Sequence, residues 1–169
     1  EDVARGDTGS NLPAGEVFIA PIEVEGSGVL YCPLTRDRYT MRLIKGVRLT
    51  FEGGRLVLDK CTAEENEDDL KRTIEGCIKI DEEKARKGEI PEVRTINVAE
   101  LGIGLNMAID KAIGYILTDE KIGGSIHVAI GSNKTYGGTS VSCLHWDFVT
   151  APRATVEVIY MDGSSKVIM

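Results

Sequence analysis

The chain has two histidines, His127 and His145, and both fall in the stretch SIHVAIGSNKTYGGTSVSCLHWDF, Ser125 to Phe148, with Asp147 two residues beyond the second. Extended chains point successive side chains to opposite faces. Cys143, His145 and Asp147 are therefore expected on one face, and Leu144, Trp146 and Phe148 on the other, where they anchor the strand. At a rise of about 3.3 Å per residue, His145 and Asp147 stand about 6.6 Å apart, close enough to share a cation or a tight pair of cations. His127 repeats the arrangement, with Ile126, Val128 and Ile130 alternating against Ser125, His127 and Ala129. The loop Gly131 to Gly138, rich in Gly, Ser, Asn and Thr, can turn tightly and bring its backbone up to a ligand. The competing reading is that each histidine is a half-buried side chain with an ordinary hydrogen-bond partner.

Two carboxylates elsewhere stand out. Glu16 opens an apolar strand just after a Pro and Gly turn, in NLPAGEVFIAP. Glu100 lies among Val98, Ala99, Leu101 and Ile103, where an ionised acid is costly unless it is paired, hydrogen-bonded or bound to a cation. Glu16, Glu100, His127, His145 and Asp147 make three carboxylates and two imidazoles. Such a set suits one or two divalent ions such as zinc, cobalt or manganese better than calcium, which prefers oxygen alone. One carboxylate can bridge two ions about 3.5 to 4 Å apart, which together acidify a bound water and polarise a carbonyl. Spacing along the chain leaves open whether the five residues meet.

These residues need elements to hold them. Asn11 to Pro21 holds the strand that Glu16 opens, and Ile22 to Pro33 and Met41 to Lys60 read as strands, with Gly53-Gly54 as a hairpin turn and Glu23, Glu25 and Arg48 facing solvent. Thr62 to Gly88 reads as the longest helix. Its signals are a Thr62 and Glu65 capping box, an apolar stripe through Leu70, Ile74, Cys77 or Ile78 and Ala85, and Gly88 at its end. Glu67 with Lys71, Asp68 with Arg72 and Glu75 with Lys79 are spaced as ion pairs on a solvated face. Val93 to Asn106 resumes strand character, and Ala108 to Gly123 suggests a short helix and an acidic turn at Asp119, Glu120 and Lys121. Asp162-Gly163 marks a second hairpin near the end. The fold class expected is α+β: a mixed, largely antiparallel sheet or barrel-like core with one long amphipathic helix and short helices.

With 169 residues and 42% hydrophobic content, residues 1–169 suit a single cored domain. A formal net charge of −7, with 20 Lys and Arg spread through the chain, argues against nucleic-acid or anionic-membrane partners. No apolar run reaches the roughly 18 to 20 residues that span a bilayer. Cys32, Cys61, Cys77 and Cys143 form no CxxC unit and are expected as reduced core residues in a cytoplasmic protein; Cys143, beside His145, also offers a thiolate. The opening EDVARGDTGS has neither an initiator Met nor the regions of a signal peptide, which points to an excised domain without an export signal.

Four ordered segments, NLPAGEVFIAP, NVAELGIGLN, TDEKIGGSIHVAIGSN and SCLHWD, resemble the metal-site segments of the M29 metallo-aminopeptidases, the aminopeptidase T and aminopeptidase S family. The likeness extends over nearly the whole chain. It implies metal ligands at Glu16, Glu100, His127, His145 and Asp147, two divalent ions (Zn, Co or Mn), and leucyl-type removal of N-terminal residues from peptides. It also implies catalytic roles for Glu100 and for a tyrosine after the first histidine. The nearest is Tyr136, nine residues on, farther than the family spacing. Family members are about twice this length, carry an extra N-terminal domain and form homodimers, so the chain resembles their C-terminal metal-binding domain. Mononuclear iron dioxygenases that open dihydroxypyridine rings share the His and His-x-Asp portion, with His127, His145 and Asp147 as the matching triad. A non-catalytic metal-binding domain is the third reading.

Overall fold

A computed structural model describes residues 13–169. The opening decapeptide, and Asn11 and Leu12 of the first strand segment, lie outside the described residues. Nine strands fall into three antiparallel sheets: β1 (Glu16–Ile19), β5 (Val98–Gly104), β6 (Ile126–Gly131) and β7 (His145–Val149) in the order β1-β5-β6-β7; β2 (Gly28–Arg36), β3 (Leu43–Glu52) and β4 (Arg55–Leu56); and the hairpin β8 (Glu157–Ile159) with β9 (Ser165–Val167). The sheets stay open, so the mixed antiparallel form of the expectation holds and its barrel-like form does not.

The hairpin at Gly53-Gly54 forms as expected, both residues taking positive φ, which glycine adopts without a Cβ penalty. The second expected strand starts only at Gly28, because Ile22–Glu25 closes a turn. The long helix α1 (Glu67–Arg86) buries Leu70, Ile74 and Cys77. Its start departs from the expected capping box: Thr62 exchanges backbone bonds with Arg48, and Glu65 with Lys45, so that segment extends the β3 edge. Asn66 precedes the helix in a left-handed conformation, and Glu67 accepts from the Ala63 N–H instead. Glu67 pairs with Lys71 as expected, whereas Arg72 takes Asp69 rather than Asp68.

Not all of the helix's charge is solvated. Asp81 is fully buried and receives the Thr95 and Ser142 hydroxyls and the Cys143 N–H, which fastens the chain just ahead of β7 to the helix. Cys143 consequently faces away from His145, and its Sγ donates to the Cys77 carbonyl. Burial and the neighbouring Cys77 and Asp81 push its thiol up to about 12. The thiolate expectation therefore falls. All four cysteines are free.

The core lies between the β2-β3-β4 sheet, α1 and one face of the larger sheet. β7 supplies Trp146 and Phe148, with Leu144 just before it, to that core, as the alternation requires. The Trp146 indole donates to Thr35 on β2 and locks the two sheets together. Among the described residues, no helix is long and apolar enough to cross a membrane.

Candidate metal centre

The opposite face of the four-stranded sheet carries the polar residues, and pairing register arranges them in rows. Glu16 lies opposite Gly104; Phe18, Gly102, His127 and Val149 form the next row; Glu100, Ala129 and Asp147 the third; Gly131 and His145 the last. A β-bulge between Val98 and Glu100 brings Glu100 into register with Ala129. Beside the polar side chains the same face holds Gly102, Gly104, Ala129 and Gly131, which make room for them, with Phe18 and Val149 at the two edge strands. A Cβ on Gly102 would come 2.0 Å from His127 Nε2, so the imidazole occupies the space a side chain would need.

All five expected ligands meet here, in two groups that share one member: Glu16, Glu100 and His127, and Glu100, His145 and Asp147. His127 Nε2 lies 3.1 Å from Glu100 Oε1 and 3.5 Å from Glu16 Oε2. His145 Nε2 lies 3.5 Å from Glu100 Oε2 and 3.3 Å from Asp147 Oδ2. Each oxygen of Glu100 thus faces a different imidazole. His127, His145 and Asp147 do not form a group of their own, because Glu100 stands between the histidines.

The donor set fits divalent cations. His145 Nδ1 donates to the Ser132 carbonyl at 2.7 Å, which presents Nε2 to the two carboxylates, the orientation that metal-ligating histidines adopt. His127 Nδ1 and Asp147 Oδ1 are buried with no hydrogen-bond partner among the described residues. Burial by itself would lower both histidine pKa values, yet the surrounding acids prevail: Glu100, Asp147 and Glu16 raise His127, and Asp147 with Glu100 raises His145 to about 9. Such crowding of acids round two imidazoles calls for positive charge.

Tyr136 stands at the rim, its hydroxyl 3.2 Å from His145 Nδ1 and its ring edge-on to Phe18 and His145. Burial, then Glu100 and Asp147, push its phenol well above the ordinary range, so it stays protonated. Its position after the first histidine did bring it to the site despite the longer spacing.

Three residues beside the site were read in the sequence as turn or surface charges. The expected acidic turn is in fact buried: Lys121 is wholly enclosed, with Nζ 2.7 Å from Glu16 Oε1 and also bonded to Glu120. Burial raises the Glu120 pKa. Glu23, expected at the solvent, accepts from Asn133 and from the Thr139 N–H and hydroxyl, bracing the loop that carries Tyr136. Burial would raise its carboxyl, but these donors hold it down at about 2. No local pattern distinguishes a buried ion pair from a solvated one, so only the pairing DEK beside a Gly-Gly turn hinted at them.

A family model described as "Thermophilic metalloprotease (M29)" matches residues 4–169. The chain belongs to the M29 family. Metal-dependent peptidase chemistry is what that family name carries, in keeping with the donor set of this M29 chain. Among curated proteins, none matches it. Among solved structures, the M29 chain is similar to 2,5-dihydroxypyridine dioxygenase from Pseudomonas putida KT2440, with a TM-score of 0.53 and 16% identity, covering 82% of this chain and 38% of that one. At that identity the likeness concerns the fold.

Proposed function

We propose that this M29 chain is the C-terminal metal-binding domain of a longer, homodimeric aminopeptidase that removes N-terminal residues from peptides through two divalent ions, zinc, cobalt or manganese. The observation that carries the reading is Glu100, one carboxylate placed between two imidazoles with one oxygen turned to each. Glu16 and His127 complete one ligand set, and His145 and Asp147 the other. When bound, the ions supply an acidified water and polarise the scissile carbonyl.

The protein's own residues do the rest. Lys121 fixes one oxygen of Glu16 and leaves the other turned to His127. Tyr136, protonated and lining the cavity, donates to the oxygen that gains charge. Glu120 lines the same cavity outside both ligand groups and is the acid placed to carry a proton to the leaving amine. Hydrolysis is favoured over ring-opening because Glu16 and Glu100 complete two ligand groups, whereas His127, His145 and Asp147 make no group of their own. Metal analysis with amino-acid release tests this: two zinc or cobalt ions per chain and cleavage of leucyl dipeptides are expected, both lost in Glu100→Gln. One iron per chain would favour the dioxygenase, and metal without cleavage the non-catalytic domain.

A further inference from the structure

The cavity beside the metal cage, about 570 Å³ in volume, has a cationic wall that the cage does not use. β2 ends at Arg36, and the turn after it carries Arg38 across to β7, where Nη1 donates to the His145 carbonyl at 2.6 Å. Arg36 is held by the carbonyls of Gly114 and Met41, at 2.8 and 2.7 Å. Arg36 and Arg38 both line the cavity with Glu100, His145 and Asp147. Neither lies within ion-pair distance of a carboxylate among the described residues.

The acids on that wall are already committed. Asp37 accepts from the Thr73 hydroxyl and from the Tyr39 and Thr40 N–H groups, and Asp119 from the Ile113 and Gly114 N–H groups. A guanidinium offers five N–H donors in a rigid fork, of which Arg38 uses one among the described residues. The remainder suit a carboxylate taken two bonds at a time.

We propose that Arg38, supported by Arg36, binds a carboxylate on the residue that follows the scissile bond, which makes dipeptides or peptides with an acidic second residue the preferred substrates. The inference rests on the aminopeptidase reading. Arg38 is tied to the main chain of a cage residue, and one residue beyond the scissile bond advances a peptide by about 3.8 Å from Cα to Cα. A carboxylate on that residue therefore lies about one residue's length from the scissile bond, in a cavity that Arg36 and Arg38 line together with Glu100 and His145. Its source is either the C-terminus of a dipeptide or an Asp or Glu side chain.

The test compares kcat/KM of the zinc-loaded chain on Leu-Gly against Leu-Gly amide, and on Leu-Asp amide against Leu-Asn amide. The acid member of at least one pair is expected to lead by about tenfold, equivalent to 1.4 kcal/mol. Preference in the first pair alone names the C-terminal carboxylate, and in the second alone the side chain. Arg38→Gln is expected to bring the ratio close to one, and Arg38→Lys to keep part of it. Equal rates within both pairs, or a ratio that survives Arg38→Gln, overturn the proposal. A reduced-bond analogue of Leu-Gly, as acid and as amide, gives the same ratio as affinities without turnover. That ratio without any cleavage removes the aminopeptidase reading and keeps the carboxylate site, cleavage without the ratio does the reverse, and absence of both removes both.

Discussion

The two halves of the metal centre are built differently although they share Glu100. In the His127 half the imidazole is sealed, wholly buried over Gly102, while Glu16, which lines the cavity, is held by the enclosed Lys121. The His145 half opens on the cavity: its imidazole is 33% exposed, is oriented by the Ser132 carbonyl, and has Tyr136 and Arg38 beside it. One half is braced by close packing and a buried ion pair, the other by a hydrogen-bonded loop. Rigidity belongs where a ligand must not move, and access where a peptide must enter.

Substitutions can set the halves against each other. The largest effect is expected from Gly102→Ala, which forces His127 out of its place. Turnover should fall by about 10⁴-fold, near 5.5 kcal/mol, and metal analysis should show one ion lost and the other kept. Retention of both ions would dissolve the contrast between a packed half and an open one.

Lys121→Met comes next. Removing one partner of a buried ion pair typically costs about 3 to 5 kcal/mol. Urea unfolding with a chelator present should show a loss of that size, shrinking when zinc is added, since a cation at Glu16 replaces part of the missing charge. An equal loss with and without zinc would separate Lys121 from the metal half.

Glu23 sharpens the open side. Its folded pKa of about 2 lies below the ordinary 4.5, so its contribution is complete above pH 4.5 and is lost as pH falls towards 2. A shift of that size corresponds to about 3 kcal/mol. Glu23→Gln should lower stability near neutral pH and flatten the acid limb of the stability curve. An unchanged acid limb would mean the Tyr136 loop is held by something else.

Much of this was legible in advance, and the failures have a common cause. The alternation through Leu144, His145, Trp146 and Asp147 gave both the core face and the polar face of β7, because that signal is local to the strand. The stripe through Leu70, Ile74 and Cys77 likewise marked the buried side of α1. By contrast, Glu23 read as a solvent-facing charge and Lys121 as part of an acidic turn, since their partners lie far away in the chain: Lys121 meets Glu16 across 105 residues, and Glu23 meets Thr139 across 116. The Thr62 and Glu65 cap failed for a similar reason, β3 having claimed that segment as an edge.

The amino-acid sequence by itself determined which side chains face the polar side of β6 and β7 and supplied three carboxylates and two imidazoles of the right chemistry. Only the tertiary structure decided how they group. Strand register, displaced by the bulge ahead of Glu100, sets that carboxylate level with Asp147 and between the histidines. Register follows from the packing of whole strands against one another, and a one-residue slip of any of the four strands would turn its own ligands to the opposite face.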